Sequence, residues 1–296
     1  MLADLALEGV RDRMLLLRTN PNFAPLEDDD LLRIAEHARI SHVKKGTVLT
    51  REGDPLTRIF LLTEGHVIVR YKGRTVADIR GQGGVGLLSL FAGLETTPEA
   101  IAQEDSMFLE LPAEIVRSNV FESFAIARNT LRLLALGLLE RRGQLPVPDA
   151  GPPDVGVWRD REPTVVERVL MIRNGMFFST AHLDAIAELA RRAIEMRFAE
   201  GDSLWQIGEP TAFSLRIEFG KVKCTNTKGE SVVIGAGSVL GMMDALAGIQ
   251  RSYDAVALTP LITTKVETAT QLAVLEAHPQ MASTLRMNLA RAFLAP

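Results

Sequence analysis

Two stretches of this sequence interrupt a strand-like pattern with a glycine followed by a short apolar turn: Gly83-Gly84-Val85-Gly86-Leu87-Leu88-Ser89-Leu90-Phe91-Ala92-Gly93 and Gly237-Ser238-Val239-Leu240-Gly241-Met242-Met243-Asp244-Ala245-Leu246-Ala247-Gly248. A short helix that opens just after a glycine exposes its first backbone amides and the positive end of its dipole. That arrangement holds phosphate with few charged side chains. In the second stretch Arg251-Ser252 lie nine positions beyond Met242, just after this helix. The plainer reading of Arg251 is a surface charge in a loop. Met242 and Met243 serve either as core filler or as the lining of an adaptable pocket.

Other chemistry finds little support. The five histidines, His37, His42, His66, His182 and His278, never form the close pairs that a zinc or iron site needs. No nucleophile elbow, phosphate-binding Walker loop or Cys/His pairing occurs, so the sequence reads as a non-enzymatic protein without a cofactor. The single cysteine, Cys224, cannot form an internal disulfide, which fits a reducing, cytoplasmic setting.

The elements that must position these residues occur twice. An offset of 155 carries Gly46 to Gly201, Gly53 to Gly208, Pro55 to Pro210, Gly65 to Gly220, Val67 to Val222, Gly86 to Gly241 and Ala92-Gly93 to Ala247-Gly248. One-residue slips pair Gly73 with Gly229 and Gly81 with Gly235. Glycines at matched positions mark matched turns, so the two copies share a backbone path. The same offset sets Gly86 and Leu87 against Gly241 and Met242, and Thr96 against Arg251, with Thr97, Pro98 and Glu99 following. The first copy thus has no cation there, and Glu99 would repel an anion.

Proline-rich Gln144-Leu145-Pro146-Val147-Pro148-Asp149-Ala150-Gly151-Pro152-Pro153-Asp154 lacks periodicity and reads as a linker. The expected organisation is a first domain over 1–143, a linker over 144–162 and a second domain over 163–296. Helical periodicity opens each copy, at Leu26–Ala38 with Asp28-Asp29-Asp30 at the helix start, and at Leu183–Ala190 with Ser179 or Thr180 as N-cap. Short strands follow at Thr47–Leu49, Arg58–Leu62, His66–Tyr71 and Thr75–Ile79, and again at Ser203–Trp205, Phe213–Ile217, Lys221–Cys224 and Ser231–Ile234. Helices close each copy over Pro112–Arg142 and Thr270–Leu294, the latter restarting at Pro279. The fold class is α+β: two tandem antiparallel β-roll barrels of jelly-roll character, each flanked by helices.

Hydrophobic residues at 47% against 24% charged describe a foldable globular chain, and a net charge of −4 gives no attraction to nucleic acid. The N-terminus carries acid where a signal peptide carries base. The most apolar run, Leu131–Leu139, falls short of the ~20 residues that a membrane helix requires, so no membrane association is expected. Its stripe of Leu131, Leu134, Ala135 and Leu138 suits either core packing or dimerisation.

The helix-flanked roll, the turns Arg51-Glu52-Gly53-Asp54 and Thr63-Glu64-Gly65-His66-Val67, and the inserted helix resemble the cyclic-nucleotide-binding family, twice over nearly the whole chain. The resemblance implies a phosphate cassette of Phe-Gly-Glu, an apolar helix and Pro-Arg-Ala/Ser-Ala, in which Glu holds the ribose hydroxyl and Arg the cyclic phosphate. Leu240-Gly241-Met242 fills the first place and Arg251-Ser252 the second. Met242 in place of the carboxylate forfeits a charge-assisted bond of about 1.5–3 kcal/mol. Val85-Gly86-Leu87 and Thr96-Thr97 make the first cassette degenerate. Relatives of the catabolite-activator type carry a helix-turn-helix after the barrel, whereas this sequence stops at Pro296. The tandem arrangement looks more like the regulatory subunit of a cyclic-nucleotide-dependent kinase. Two functions stay open: a signalling module that binds a cyclic nucleotide in its second domain, or a degenerate scaffold for a protein partner or a homodimer.

Overall fold

The computed structural model of the protein describes residues 9–122, 124–147, 161–173, 178 and 181–295. Contacts divide the chain into two compact units, Met1–Thr130 with Ala290–Pro296, and Leu131–Leu289. The final turns of the helix that ends the first repeat, and the segment after it, therefore count with the second unit. Residues 148–160 of the linker expected from sequence lie outside the described residues.

The first unit opens with α1 (Val10–Thr19) and α2 (Asp28–Glu36). Eight strands follow: β1 (Arg39–Val43), β2 (Val48–Thr50), β3 (Arg58–Glu64), β4 (His66–Tyr71), β5 (Arg74–Arg80), β6 (Gly83–Val85), β7 (Glu99–Ala102) and β8 (Ser106–Pro112), with α3 (Leu87–Phe91) between β6 and β7. Next come α4 (Ala113–Glu122) and α5 (Phe124–Arg141), which runs on into the second unit. That unit repeats the series as α6 (Val165–Arg173), α7 (Leu183–Arg192), β9 (Ile194–Phe198), β10 (Ser203–Trp205), β11 (Phe213–Phe219), β12 (Lys221–Asn226), β13 (Ser231–Gly235), β14 (Val239–Leu240), α8 (Met242–Ala247), β15 (Tyr253–Ala257), β16 (Leu261–Glu267), α9 (Thr268–Ala277) and α10 (Pro279–Leu294).

Each roll is two four-stranded antiparallel sheets in one strand order: β1-β8-β3-β6 with β2-β7-β4-β5, and β9-β16-β11-β14 with β10-β15-β12-β13. This is the jelly-roll connectivity, and both copies have it. Alternation drives the packing: in β12 Val222, Cys224 and Asn226 turn inward while Lys221 and Lys223 face out. The second roll closes on Leu204, Trp205, Leu215, Ile217, Val222, Tyr253 and their neighbours. The first closes on Leu62, Val67, Val69, Val85 and Phe108, with Phe60 edge-on to Phe108 at 6.2 Å. Burial pushes the Cys224 thiol up to about 12, so it is a core residue rather than a nucleophile.

Several elements carry weak local signals. β8 and β16 are nearly continuously buried because helices cover their outer face, which removes the alternation that betrays a strand. α7 is capped by His182 without a side-chain hydrogen bond, and the expected caps Ser179 and Thr180 lie outside the described residues. The Asp28–Asp30 cluster does occupy the first turn of α2, and α10 does restart at Pro279. Leu131, Leu134, Ala135 and Leu138 are all buried within the chain. No described helix is long and apolar enough to cross a membrane.

Registers refine the repeat. Arg80 pairs with His66 as Gly235 pairs with Lys221, so Gly235 corresponds to Arg80 and not to Gly81. The other matched glycines agree in conformation: Gly46 and Gly201, Gly53 and Gly208, Gly65 and Gly220, Gly86 and Gly241, and Gly93 and Gly248 all have positive φ. At Gly220, with φ +94°, a Cβ would run into the Pro260 carbonyl, whereas Gly201, with φ +89°, faces open space. Gly201→Ala should therefore cost only the left-handed penalty of about 1–2 kcal/mol. Gly220→Ala should lose a further ~1–3 kcal/mol to overpacking. Urea unfolding of the two variants measures that gap.

Candidate functional site

β14 delivers the chain to Gly241, whose left-handed backbone (φ +77°) starts α8. Glycine is required there twice over, since a Cβ would also collide with Arg251 Nη1 and press on the Phe213 carbonyl. The Gly241 N–H donates to the Tyr253 hydroxyl at 2.9 Å. The leading amide of this cassette is thus already held by the protein.

Arg251 is not a surface charge: it is 2% exposed. Its guanidinium stacks 3.9 Å from the Trp205 ring centroid and 4.9 Å from that of Phe213, and Nη2 donates to the Phe213 carbonyl at 2.6 Å. Nε and Nη1 are buried without a partner. Its main chain ties the cassette to the Gly208 turn, donating to Glu209 O at 2.9 Å and accepting from the Gly208 N–H at 3.0 Å. Burial lowers its pKa from the ordinary arginine value. Desolvating a guanidinium costs several kcal/mol, and cation–π contact returns about 2 kcal/mol when the cation is desolvated.

The residues after Gly241 face two different spaces. Met242 is buried toward a cavity of about 60 Å³ whose lining includes Leu189, Arg216, Gln271 and Leu275. Met243 and Asp244 instead line a cavity of about 40 Å³ together with Gly241, Tyr253, Val239 and Leu145. Arg251, Gly241 and Ser252 are therefore brought together, whereas Met242, expected beside them, turns elsewhere. The carboxylate facing this second cavity is Asp244, fully buried. It receives the Ser252 hydroxyl at 2.7 Å and the Ser252 N–H at 3.4 Å.

In the first unit the cassette is sealed. Gly86 (φ +90°) starts α3 and Leu87 is buried. The Gly53 N–H donates to Thr97 O, and the Thr97 N–H to Asp54 O, as Gly208 and Glu209 do with Arg251. Thr97, not Thr96, is thus the counterpart of Arg251. Compensating one-residue shifts before and after this position hide that from a fixed offset. The Thr97 hydroxyl sits 3.0 Å from Arg51 O and 3.3 Å from Asp54 O, closing the turn on itself, while Thr96 bridges Pro55. Among the described residues no group of three His, Cys, Asp or Glu could hold a metal ion.

Sequence reading missed Trp205, Phe213, Tyr253 and Asp244 as members of the site. Trp205 and Phe213 read as ordinary strand residues, and nothing local marks Tyr253 or Asp244. Burial raises the Asp244 carboxyl above the ordinary range, outweighing the Ser252 hydrogen bonds and the Arg251 charge. Between its unfolded pKa and that raised value the folded chain keeps a proton the unfolded chain has released. Stability must then fall as pH rises through this window, by at most about 1.4 kcal/mol per pH unit. Glu218, also raised by burial, acts in the same direction. Asp244→Asn should remove the Asp244 share of that slope, read from thermal melts of wild type and variant across the acidic to neutral range.

Residues 40–122 match the family model of the cyclic nucleotide-binding domain. No curated protein sequence matches the chain. Similar solved structures include a regulatory subunit of a cAMP-independent protein kinase A from Trypanosoma brucei, at 18% identity over 92% of this chain and 88% of that one with a TM-score of 0.36. The regulatory domain of Toxoplasma gondii PKA crystallised with cAMP is similar at 14% identity over 93% and 94%, with a TM-score of 0.35. The N-terminal domain of a transcriptional regulator from Streptomyces coelicolor A3(2) is similar at 25% identity over 41% and 91%, with a TM-score of 0.36. The match to the cyclic nucleotide-binding domain covers residues 40–122 of the first unit, and the second unit repeats that unit's eight-strand roll, glycine turns and cassette helix.

Proposed function

We propose that the chain is a non-enzymatic regulatory protein whose second domain receives a small phosphate-bearing ligand of the cyclic nucleotide class, while the first domain is a structural or partner-binding copy. The observation that carries this reading is Arg251: a fully buried cation at the cassette with two N–H-bearing nitrogens unpartnered and no carboxylate bonded to it. A packing role alone would be served at lower cost by an apolar side chain. Orphaned buried donors mark a site waiting for an acceptor. A phosphate supplies that acceptor, and the guanidinium exchanges the Phe213 carbonyl for it. Asp244 and Ser252 stand beside it as the polar pair for the remainder of the ligand. Met242 leaves the ribose position without a carboxylate, so the site favours phosphate over ribose recognition.

The sealed first cassette, closed by Thr97 on Arg51 and Asp54, favours a second reading for that domain: a scaffold that docks a protein partner or a second copy. Output through such a partner fits a regulator whose first cassette has no anion-binding cation.

Calorimetric titration with cyclic AMP, cyclic GMP and cyclic dinucleotides tests the receptor reading. Arg251→Met is the control, because it keeps the bulk between Trp205 and Phe213 while removing every donor. Saturable binding to the wild type, weakened roughly tenfold or more in the variant, is expected. No heat at millimolar ligand removes the receptor reading and leaves the scaffold.

A further inference from the structure

The end of α5 does not run away from the second roll. Gly143 and Gln144 both have left-handed backbones, φ +63° and +64°, and Gln144 is a residue for which that conformation costs about 1–2 kcal/mol. The Gln144 N–H closes back on Leu139 O at 2.8 Å, a Schellman-type stop that turns the chain sharply. Pro146 then holds Leu145 extended. Leu145 packs against the apolar core of the second roll, beside the cluster that contains Trp205 and Tyr253. Asn226 Nδ2 donates to Gly143 O at 2.8 Å, and Ser252 Oγ lies 3.3 Å from Gln144 O. Leu145, Pro146 and Val147 form one wall of the cavity whose other wall includes Gly241, Met243 and Asp244. All of these residues belong to the Leu131–Leu289 unit.

We infer that the mouth of the second β-roll is a peptide-binding site filled in cis by Gly143–Val147, and that a ligand entering the cavity beside Asp244 and Ser252 must displace this segment. The site takes a peptide that turns and then presents a leucine: a leucine anchor in the roll, with carbonyls one and two residues before it at Ser252 and Asn226. Asn226 is built for the task. Its Oδ1 accepts the Lys228 and Glu230 amides at 3.0 Å each, which fixes the carboxamide so that Nδ2 faces Gly143. The hydroxyl of Ser252 has one proton, shared between Asp244 and Gln144 O. A ligand that engages Asp244 or Ser252 therefore loosens the segment. The competitive half of this inference rests on the receptor reading above; the cis occupancy does not.

The test uses the full chain in a Trp158→Phe background, where Trp205 is the single tryptophan. Leu145→Ser, with unfolding monitored to show that it folds, should roughly double acrylamide quenching of Trp205 without any ligand. A peptide of residues 141–148 added to that variant should reverse the change, and the same peptide with serine for leucine should not. Unaltered quenching in the folded variant overturns the occupancy. Should Leu145→Ser fail to fold, nuclear Overhauser contacts in the wild type decide: contacts from the Leu145 methyls to the core of the second roll support the occupancy, and their absence overturns it. Cyclic nucleotide should bind Leu145→Ser roughly tenfold or more tightly than wild type, as release of a closed population requires. Equal binding to both overturns the competition. Opened Trp205 with no nucleotide bound by either protein supports the peptide site and removes the receptor reading alone.

Discussion

Everything at the second cassette depends on where one guanidinium goes. Arg251 sits between Trp205 and Phe213 and against the bare Cα of Gly241. A flat, delocalised cation can be sandwiched between aromatic faces in a way that an ammonium cannot. The arrangement requires glycine at 241, aromatic rings from β10 and the start of β11, and a turn at Gly208 tied to the Arg251 main chain. Remove any of these and the cation is left buried without compensation, which is among the more expensive errors a core can contain.

The two rolls show how one backbone can serve different chemistry. Strand order, matched left-handed glycines and the short cassette helix are shared, because turns and sheet closure constrain the main chain. The cassettes diverge through side chains and through small shifts in the loop after the helix. In the first roll the position of Arg251 is held by Thr97, whose short hydroxyl is satisfied by nearby carbonyls. The first turn is neutral and self-satisfied, whereas the second holds a buried cation with two unpartnered nitrogens. The same comparison sets Ser89 against Asp244: the Leu94 N–H bonds to Ser89 O as the Ile249 N–H bonds to Asp244 O. The second roll thus gains both a buried cation and a buried acid at positions where the first has only hydroxyls.

Asp244 and Ser252 couple the cassette to the chain segment over its mouth. Protonated, Asp244 can donate to Ser252 Oγ and leave the serine proton for Gln144 O; ionised, it draws that proton to itself. Burial raises the Asp244 carboxyl above its ordinary pKa, and the Ser252 hydroxyl that it accepts at 2.7 Å also lies 3.3 Å from Gln144 O. Through Ser252 the acid meets Gln144, 108 residues before that serine in sequence, across a contact that exists only in the folded chain.

By itself the sequence determined the two rolls, the strand order's raw material, the place of each cassette and the absence of a cation in the first. These follow from signals of short range: alternation, glycine at obligatory turns, and a repeat whose spacing survives divergence of the surface. Tertiary structure decided the rest. It turned Arg251 inward onto Trp205 and Phe213, sent Met242 into a different cavity from Gly241 and Met243, moved the counterpart of Arg251 from Thr96 to Thr97, and brought Leu145 into the roll. The physical reason is common to all four. The direction of a side chain on a one-turn helix, and the destination of a chain after a helix stop, are set by packing and hydrogen bonds between residues far apart in sequence, and no local pattern encodes those.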